Sequence, residues 1–154
     1  MGYILTADAL VQVLRAQAEE PVVRWLEDEE ISPFVDWFTM AVASAEIRDS
    51  KLDDDRKDEL KKSYAVMVRR LNEKNPIGVS RANMSSGSAE RLSRLMVIAA
   101  TETTDLSDAD LVPAAIAMEY SLTLVVTRHA AQWKNLQKAI AEKPGTAKLN
   151  LKCM

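Results

Sequence analysis

Leu111-Val112-Pro113-Ala114-Ala115-Ile116-Ala117-Met118-Glu119-Tyr120, followed by Leu122-Thr123-Leu124-Val125-Val126-Thr127, is the stretch whose reading decides the fold. Its first part is apolar and Ala-rich, as a helix buried in a core is. Its second part contains Leu124-Val125-Val126, a β-branched run too short for a helix and read as a core strand. Beyond it, Trp133, Leu136 and Ile140 recur at spacings of three and four and mark a last helix.

The same alternation runs back to the N-terminus. Tyr3-Ile4-Leu5 is a short apolar strand that ends at Thr6. Leu10, Val11, Leu14 and Ala18 share one helix face, with Thr6 expected as its N-cap and Asp8 near the positive end of the dipole. Glu19-Glu20-Pro21 breaks that helix. A second helix carries Val22, Val23, Trp25 and Leu26 and ends in the acidic run Glu27 to Glu30. Ser32 to Asp36 reads as a second strand, and Thr39 to Asp49, rich in Ala and Val, as a buried helix. Asp53, Asp54 and Asp55 open a long amphipathic helix with Leu60, Tyr64, Met67 and Leu71 on one face and Arg69-Arg70 near its end. Asn75-Pro76 marks a turn, and Ile77 to Val79 is a candidate third strand. Asn83 to Ser88 reads as a polar loop, Leu92, Leu95, Met96 and Ala99 as another helix face, and Thr101 to Asp108 as a polar connection. Pro144-Gly145 turns the chain toward an edge strand over Leu149 to Leu151. Short apolar strands alternating with helices predict an α/β fold of three layers, α/β/α, with a short, mostly parallel central sheet. No repeat or linker divides residues 1–154, so one domain is expected.

Composition bounds the function. A chain of 154 residues, 47% hydrophobic and 28% charged, suits one globular core. Twenty basic and 23 acidic residues leave 20 − 23 = −3, too little positive charge for a generic nucleic-acid coat, though a local basic rim is compatible with it. Cys153 is the only cysteine, so an intrachain disulfide and a Cys-rich zinc site are both excluded. The first residues lack a basic, then apolar, leader pattern, and no apolar run nears the roughly 20 residues of a membrane helix. A cytoplasmic protein without membrane contact is expected.

Parallel sheets place ligands at the carboxyl ends of their strands. Thr6 and Asp8 follow the first strand, and Arg128-His129 follows the Leu124 strand. Glu46 lies in the helix expected to be buried, where a carboxylate must pair, bind metal or reach water. Asp110 fits a capping box with Ser107 as N-cap, a purely structural role. That box puts Pro113 past the first helical turn, whereas Asp110 as the N-cap would put it within that turn. His129 either sits at a site mouth or ends a loop. Trp25, Trp37 and Trp133 read as core or interface residues.

Several segments together resemble the PIN domains of the VapC/FitB toxin type. Ala45-Glu46-Ile47-Arg48 is similar to that family's AEI helix motif. Asp110-Leu111-Val112-Pro113-Ala114-Ala115-Ile116-Ala117 resembles its D-x-x-I-A-A-x-A segment, and Leu122 to His129 its GLTLVTRN strand. Ile4 to Leu10 takes the place of its opening LLDTNVL. The order of the motifs is the family's, and they span nearly the whole chain.

The resemblance implies a PIN-like fold and a metal-dependent endoribonuclease of a toxin–antitoxin module. Its acids would hold Mg²⁺ or Mn²⁺, a hard ion that seeks several oxygen ligands and activates water. Glu46 and Asp110 match two family acids, with Asp8 as a further candidate metal ligand on the motif's Asn. Thr6 stands where the family has its first Asp, His129 where it has Asn or Asp, Gln132 at the following Asp, and Trp133 at its Phe. Thr6 and His129 are therefore candidate members of the catalytic set. Two matched carboxylates in place of three or four imply weak metal binding and impaired RNA cleavage. The alternatives are a non-catalytic PIN-like module that binds or regulates a partner, and a plain dimeric scaffold. The resemblance further implies a homodimer and a small antitoxin protein as partners. Val13, Val22 and Trp25 supply an apolar surplus for the dimer unless they fill one monomer's core.

Overall fold

Strand β1 (Tyr3–Leu5) lies at the centre of a five-stranded sheet of order β3-β2-β1-β4-β5. The others are β2 (Phe34–Asp36), β3 (Ser80–Ala82), β4 (Thr123–Val126) and β5 (Asn150–Cys153). Every neighbouring pair is parallel; Ile4 stands opposite Leu124 on one side and Phe34 on the other. The computed structural model describes residues 2–15, 17, 19–72, 80–82, 84–102 and 105–154, with the backbone alone at 68–72 and 80–82. The turn expected at Asn75-Pro76 and the strand expected at Ile77 to Val79 lie outside the described residues.

Side-chain alternation along the strands sorts the core into two apolar layers. Ile4, Leu124 and Val126 face α5 (Ser86–Thr101), α6 (Asp108–Tyr120) and α7 (Ala130–Ala141). Leu5, Val35 and Val125 face α1 (Ala7–Arg15), α2 (Pro21–Asp28), α3 (Trp37–Asp49) and α4 (Asp54–Asn72). The helices thus cover both faces of a parallel sheet, the three-layer arrangement expected from the alternation of elements.

Several local expectations shift for physical reasons. Ser85 caps α5 by accepting from the Ser88 N–H at 3.1 Å, so the serines expected in a loop begin a helix. Met96 is 36% exposed because the buried face of α5 runs through Leu95, Ile98 and Ala99. The third helix starts at Trp37, two residues earlier than expected. Asp36 caps it there, accepting from the Thr39 N–H at 2.8 Å and the Thr39 hydroxyl at 2.6 Å. Val22 and Trp25 are buried inside the chain's own core, and Val13 packs against it, so these residues provide no surplus for a dimer.

Burial of Asp36 raises its carboxyl pKa above the ordinary value, and the two Thr39 hydrogen bonds only partly offset this. Protonation therefore favours the fold. The stabilising contribution is full below the ordinary carboxylate value of 3.8 and is lost as pH rises through the raised one. Asp36→Asn keeps the cap acceptor and removes the charge. It is expected to flatten this part of the stability–pH curve, read as urea midpoints between about pH 4 and pH 7. Parallel curves for variant and wild type would contradict it.

Candidate functional site

The chain leaves β1 for β2 on one side, while β4 lies on the other, so the order of connection reverses between β1 and β4. At such a switch point the loops part and leave a crevice beyond the strand ends. Thr6 and the first turn of α1 rise from β1, and Thr127, Arg128 and His129 from β4.

Asp8 sits in that first turn of α1. Desolvation is the largest cause raising its pKa; Asp110 adds to the rise, while Arg128 and His129 oppose it. Glu46 projects from α3 and is exposed, so of the outcomes left open by the sequence it reaches water: the apolar face of α3 runs through Met40, Ala43 and Ile47. Protein matter around the Glu46 carboxyl still raises its pKa by partial desolvation, with Asp8 and Asp110 adding to the rise and Arg128 opposing it. The fold therefore brings Asp8, Glu46 and Asp110 within electrostatic reach of one another, from three helices.

Asp110 also completes the capping box. Its Oδ2 accepts from the Ser107 N–H and the Ser107 hydroxyl, each at 2.9 Å. Capping and membership of the cluster are thus compatible. Pro113 is accommodated inside α6, where its missing N–H forfeits one helical hydrogen bond.

Thr6 is 1% exposed and turns away from both expected roles. Its hydroxyl donates to the Val125 carbonyl at 2.9 Å, beside the backbone N–H bond to the same oxygen at 3.2 Å. The hydroxyl ties β1 to β4 instead of capping α1. His129 is exposed and left-handed (φ 56°, ψ 36°), and its side chain makes no capping hydrogen bond to α7. Among non-glycine residues Asn, Asp and His are enriched in this conformation, so the backbone accepts His129 as it would the residues the resemblance places there. Gln132 pairs with Asp105 through two hydrogen bonds, 2.7 and 3.2 Å, and fastens the loop before α6.

Arg128 is the site residue that the sequence reading left without a role. Its Nη1 lies 3.8 Å from Asp8 Oδ1. Its sequence signals were its place immediately after β4 and its match to the Arg of the GLTLVTRN strand.

A hard divalent ion needs several oxygen donors in near-octahedral array. Among the described residues, no group of three His, Cys, Asp or Glu side chains is placed to hold a metal ion. With Thr6 committed to Val125, the donors as arranged do not fit Mg²⁺ or Mn²⁺.

The sheet defines an open, all-parallel α/β protein, with three carboxylates in electrostatic reach of one another near its switch point. Solved structures share this fold end to end. A chain of VapBC2 from Rickettsia felis, bound to a DNA fragment from their promoter, superimposes with a TM-score of 0.68 at 14% identity, over 100% of this chain and 99% of that one. A chain of DNA-bound VapBC from Salmonella typhimurium gives 0.66 at 11% identity, over 99% and 98%. FitAcB from Neisseria gonorrhoeae gives 0.59 at 19% identity, over 97% and 95%. No family model matches the chain, and no curated protein matches it. At these identities the likeness establishes the fold, which is the one the VapC/FitB resemblance implies. Among the described residues, no helix is long and apolar enough to cross a membrane.

Proposed function

We propose that this chain is the PIN-type member of a VapC-like toxin–antitoxin module, of metal-dependent endoribonuclease descent, with impaired catalysis. The observation that carries the reading is the convergence of Asp8, Glu46 and Asp110 at the switch point of this fold. Impairment follows from the chemistry of that cluster. Its first-strand position offers a buried hydroxyl, already donated to a carbonyl, where the family has a carboxylate.

A small antitoxin protein and a second copy of the chain are the partners this reading requires. Between α1 and α4 runs a groove of about 490 Å³ with Leu14, Leu52 and Leu60 as its apolar floor and Arg15, Arg56 and Glu59 at its rim. Apolar floor and charged rim suit an amphipathic partner segment. Trp37, Phe38, Met84 and Met96 are exposed and line a second, apolar groove, which suits a homodimer contact. A non-catalytic, partner-binding PIN-like module is the second reading, favoured by the Thr6–Val125 bond.

The test is cleavage of a fluorogenic single-stranded RNA by the purified protein with Mg²⁺ or Mn²⁺, with light scattering on the same sample. Weak or absent cleavage and a mass of twice 17.1 kDa are expected. Robust metal-dependent cleavage abolished by Glu46→Gln would overturn the impairment, and a strictly monomeric protein would overturn the dimer.

A further inference from the structure

We propose that the flank of α7 beside β5 is a phosphate-binding strip, built by Lys134, Lys138 and Lys148, that holds the backbone of single-stranded RNA without metal. The choice of RNA rests on the nuclease-descended reading above; the strip itself rests on charge and geometry. Residues 130–154 carry five lysines and one acid, Glu142, a charge of 5 − 1 = +4 in a chain of −3. Residues 1–129 therefore carry −3 − 4 = −7. The other lysine-rich segment, α4, interleaves Lys57, Lys61 and Lys62 with Asp54, Asp55, Asp58 and Glu59 and so offsets its own charge.

Helical spacing gathers the strip. Lys134, Gln137, Lys138 and Ala141 follow one another at i, i+3, i+4 and i+7 and share one flank of α7, beside the buried face of Trp133, Leu136 and Ile140. Gln137 Nε2 donates to the Leu149 carbonyl at 2.7 Å, which fastens the segment before β5 to that flank. Lys148 is thereby brought to the two helical lysines, beside a hollow of about 310 Å³ lined by Gln137, Ala141, Thr146, Lys148 and Asn150. Lys134, Lys138 and Lys148 are exposed, and among the described residues none of them takes part in an ion pair. Lys152 is not of the set: its Nζ lies 4.8 Å from the centroid of the Trp25 ring, in the apolar layer on the sheet's other face. Glu142 is offset by Lys143 next to it.

The place of α7 in the fold gives the strip its direction. The helix starts at the carboxyl end of β4, and its 12 residues run back along the sheet for about 18 Å. The strip therefore leads away from the end that carries Asp8, Glu46 and Asp110. Those carboxylates repel a phosphodiester, so a strand that comes near them needs cations elsewhere to hold it. Lysines one helical turn apart have Cβ atoms about 5–6 Å apart, and each phosphate that an ammonium group neutralises releases condensed counter-ions.

The test is fluorescence anisotropy of a labelled oligouridylate, titrated in EDTA at several salt concentrations. Wild type is expected to bind, with log Kd rising against log salt at a slope of about 2 for three phosphate contacts. Lys134→Gln, Lys138→Gln and Lys148→Gln combined should bind about tenfold or more weakly at low salt and lose most of that slope. All three side chains are exposed, so the fold is expected to stay intact, as circular dichroism will show. A control with the same loss of charge at exposed positions elsewhere, Arg24→Gln, Lys51→Gln and Lys61→Gln combined, should bind as wild type does. No binding by wild type, or a strip variant that binds as tightly as wild type, overturns the proposal. Equal losses in strip variant and control would mean that net charge alone governs binding, and overturn it too. Tighter binding of a glutamate-rich peptide than of RNA would assign the strip to an acidic protein segment instead. Because EDTA removes metal, failure of the strip leaves the acidic cluster untouched, and absence of cleavage leaves the strip untouched.

Discussion

Thr6→Asp is expected to lower the melting temperature by roughly 6–12 °C in the absence of metal. Thr6 is buried, and its hydroxyl donates to the Val125 carbonyl. A carboxylate there has no proton to donate and faces that carbonyl oxygen, with Asp8 as a further negative charge nearby. Leaving a buried charge uncompensated costs about 3 kcal/mol or more, and each kcal/mol moves the midpoint of a domain this size by ~2–4 °C. The same substitution adds a fourth carboxylate to Asp8, Glu46 and Asp110 as a donor for a hard ion. Each attraction of this kind in a partly desolvated cleft is worth on the order of a few kcal/mol, so Mn²⁺ affinity should rise by about a decade or more. Added Mn²⁺ should therefore restore part of the lost stability, and Glu46→Gln should cancel the restoration. Circular-dichroism melts with and without Mn²⁺ read all of this. An unchanged melting temperature would mean that the Thr6 hydroxyl does not bind β1 to β4.

Trp133→Ala should destabilise the fold by about 3–5 kcal/mol, a fall of roughly 6–20 °C in melting temperature. Trp133 is 2% exposed and packs in the layer formed by Leu124, Val126, Leu136 and Ile140. Removing the ring opens a cavity that α7 cannot close without leaving its register against β4 and β5. Trp133→Phe keeps an aromatic body, as the resemblance has at this position, and is expected to cost less than about 2 kcal/mol. Urea unfolding of the three proteins measures the difference. An Ala variant within 1 kcal/mol of wild type would show that the ring is not integral to this layer.

Local signals in the sequence were faithful where the physics is local. Leu124-Val125-Val126 is a strand, and the Ala-rich segment from Leu111 is a helix, because apolar runs and periodicity report burial directly. The Ser107 capping box was legible because its two partners are three residues apart. Elements with weak signals were placed less well. Ser85 converts a Ser-rich stretch into a helix start through one side-chain hydrogen bond, and composition alone reads such a stretch as loop. The apolar character of α3 left Glu46 open between pairing, metal binding and water, because periodicity there is too weak to say which side of the helix faces solvent.

Sequence by itself determined the alternation of strands and helices, the three-layer class and the candidate acids. It did so because helix and strand periods, caps and turns are written in residues a few positions apart. Tertiary structure decided everything about the site that depends on direction. Only the adjacency of β1 and β4 turns the Thr6 hydroxyl to Val125. Only the packing of α1, α3 and α6 around one end of the sheet brings Asp8, Glu46 and Asp110 within reach of one another. The same adjacency sets Arg128 against Asp8, 120 positions away along the chain (128 − 8 = 120). Coulomb interactions fall with distance in space, not with separation in sequence, so the charge balance of this site exists only once the sheet has formed.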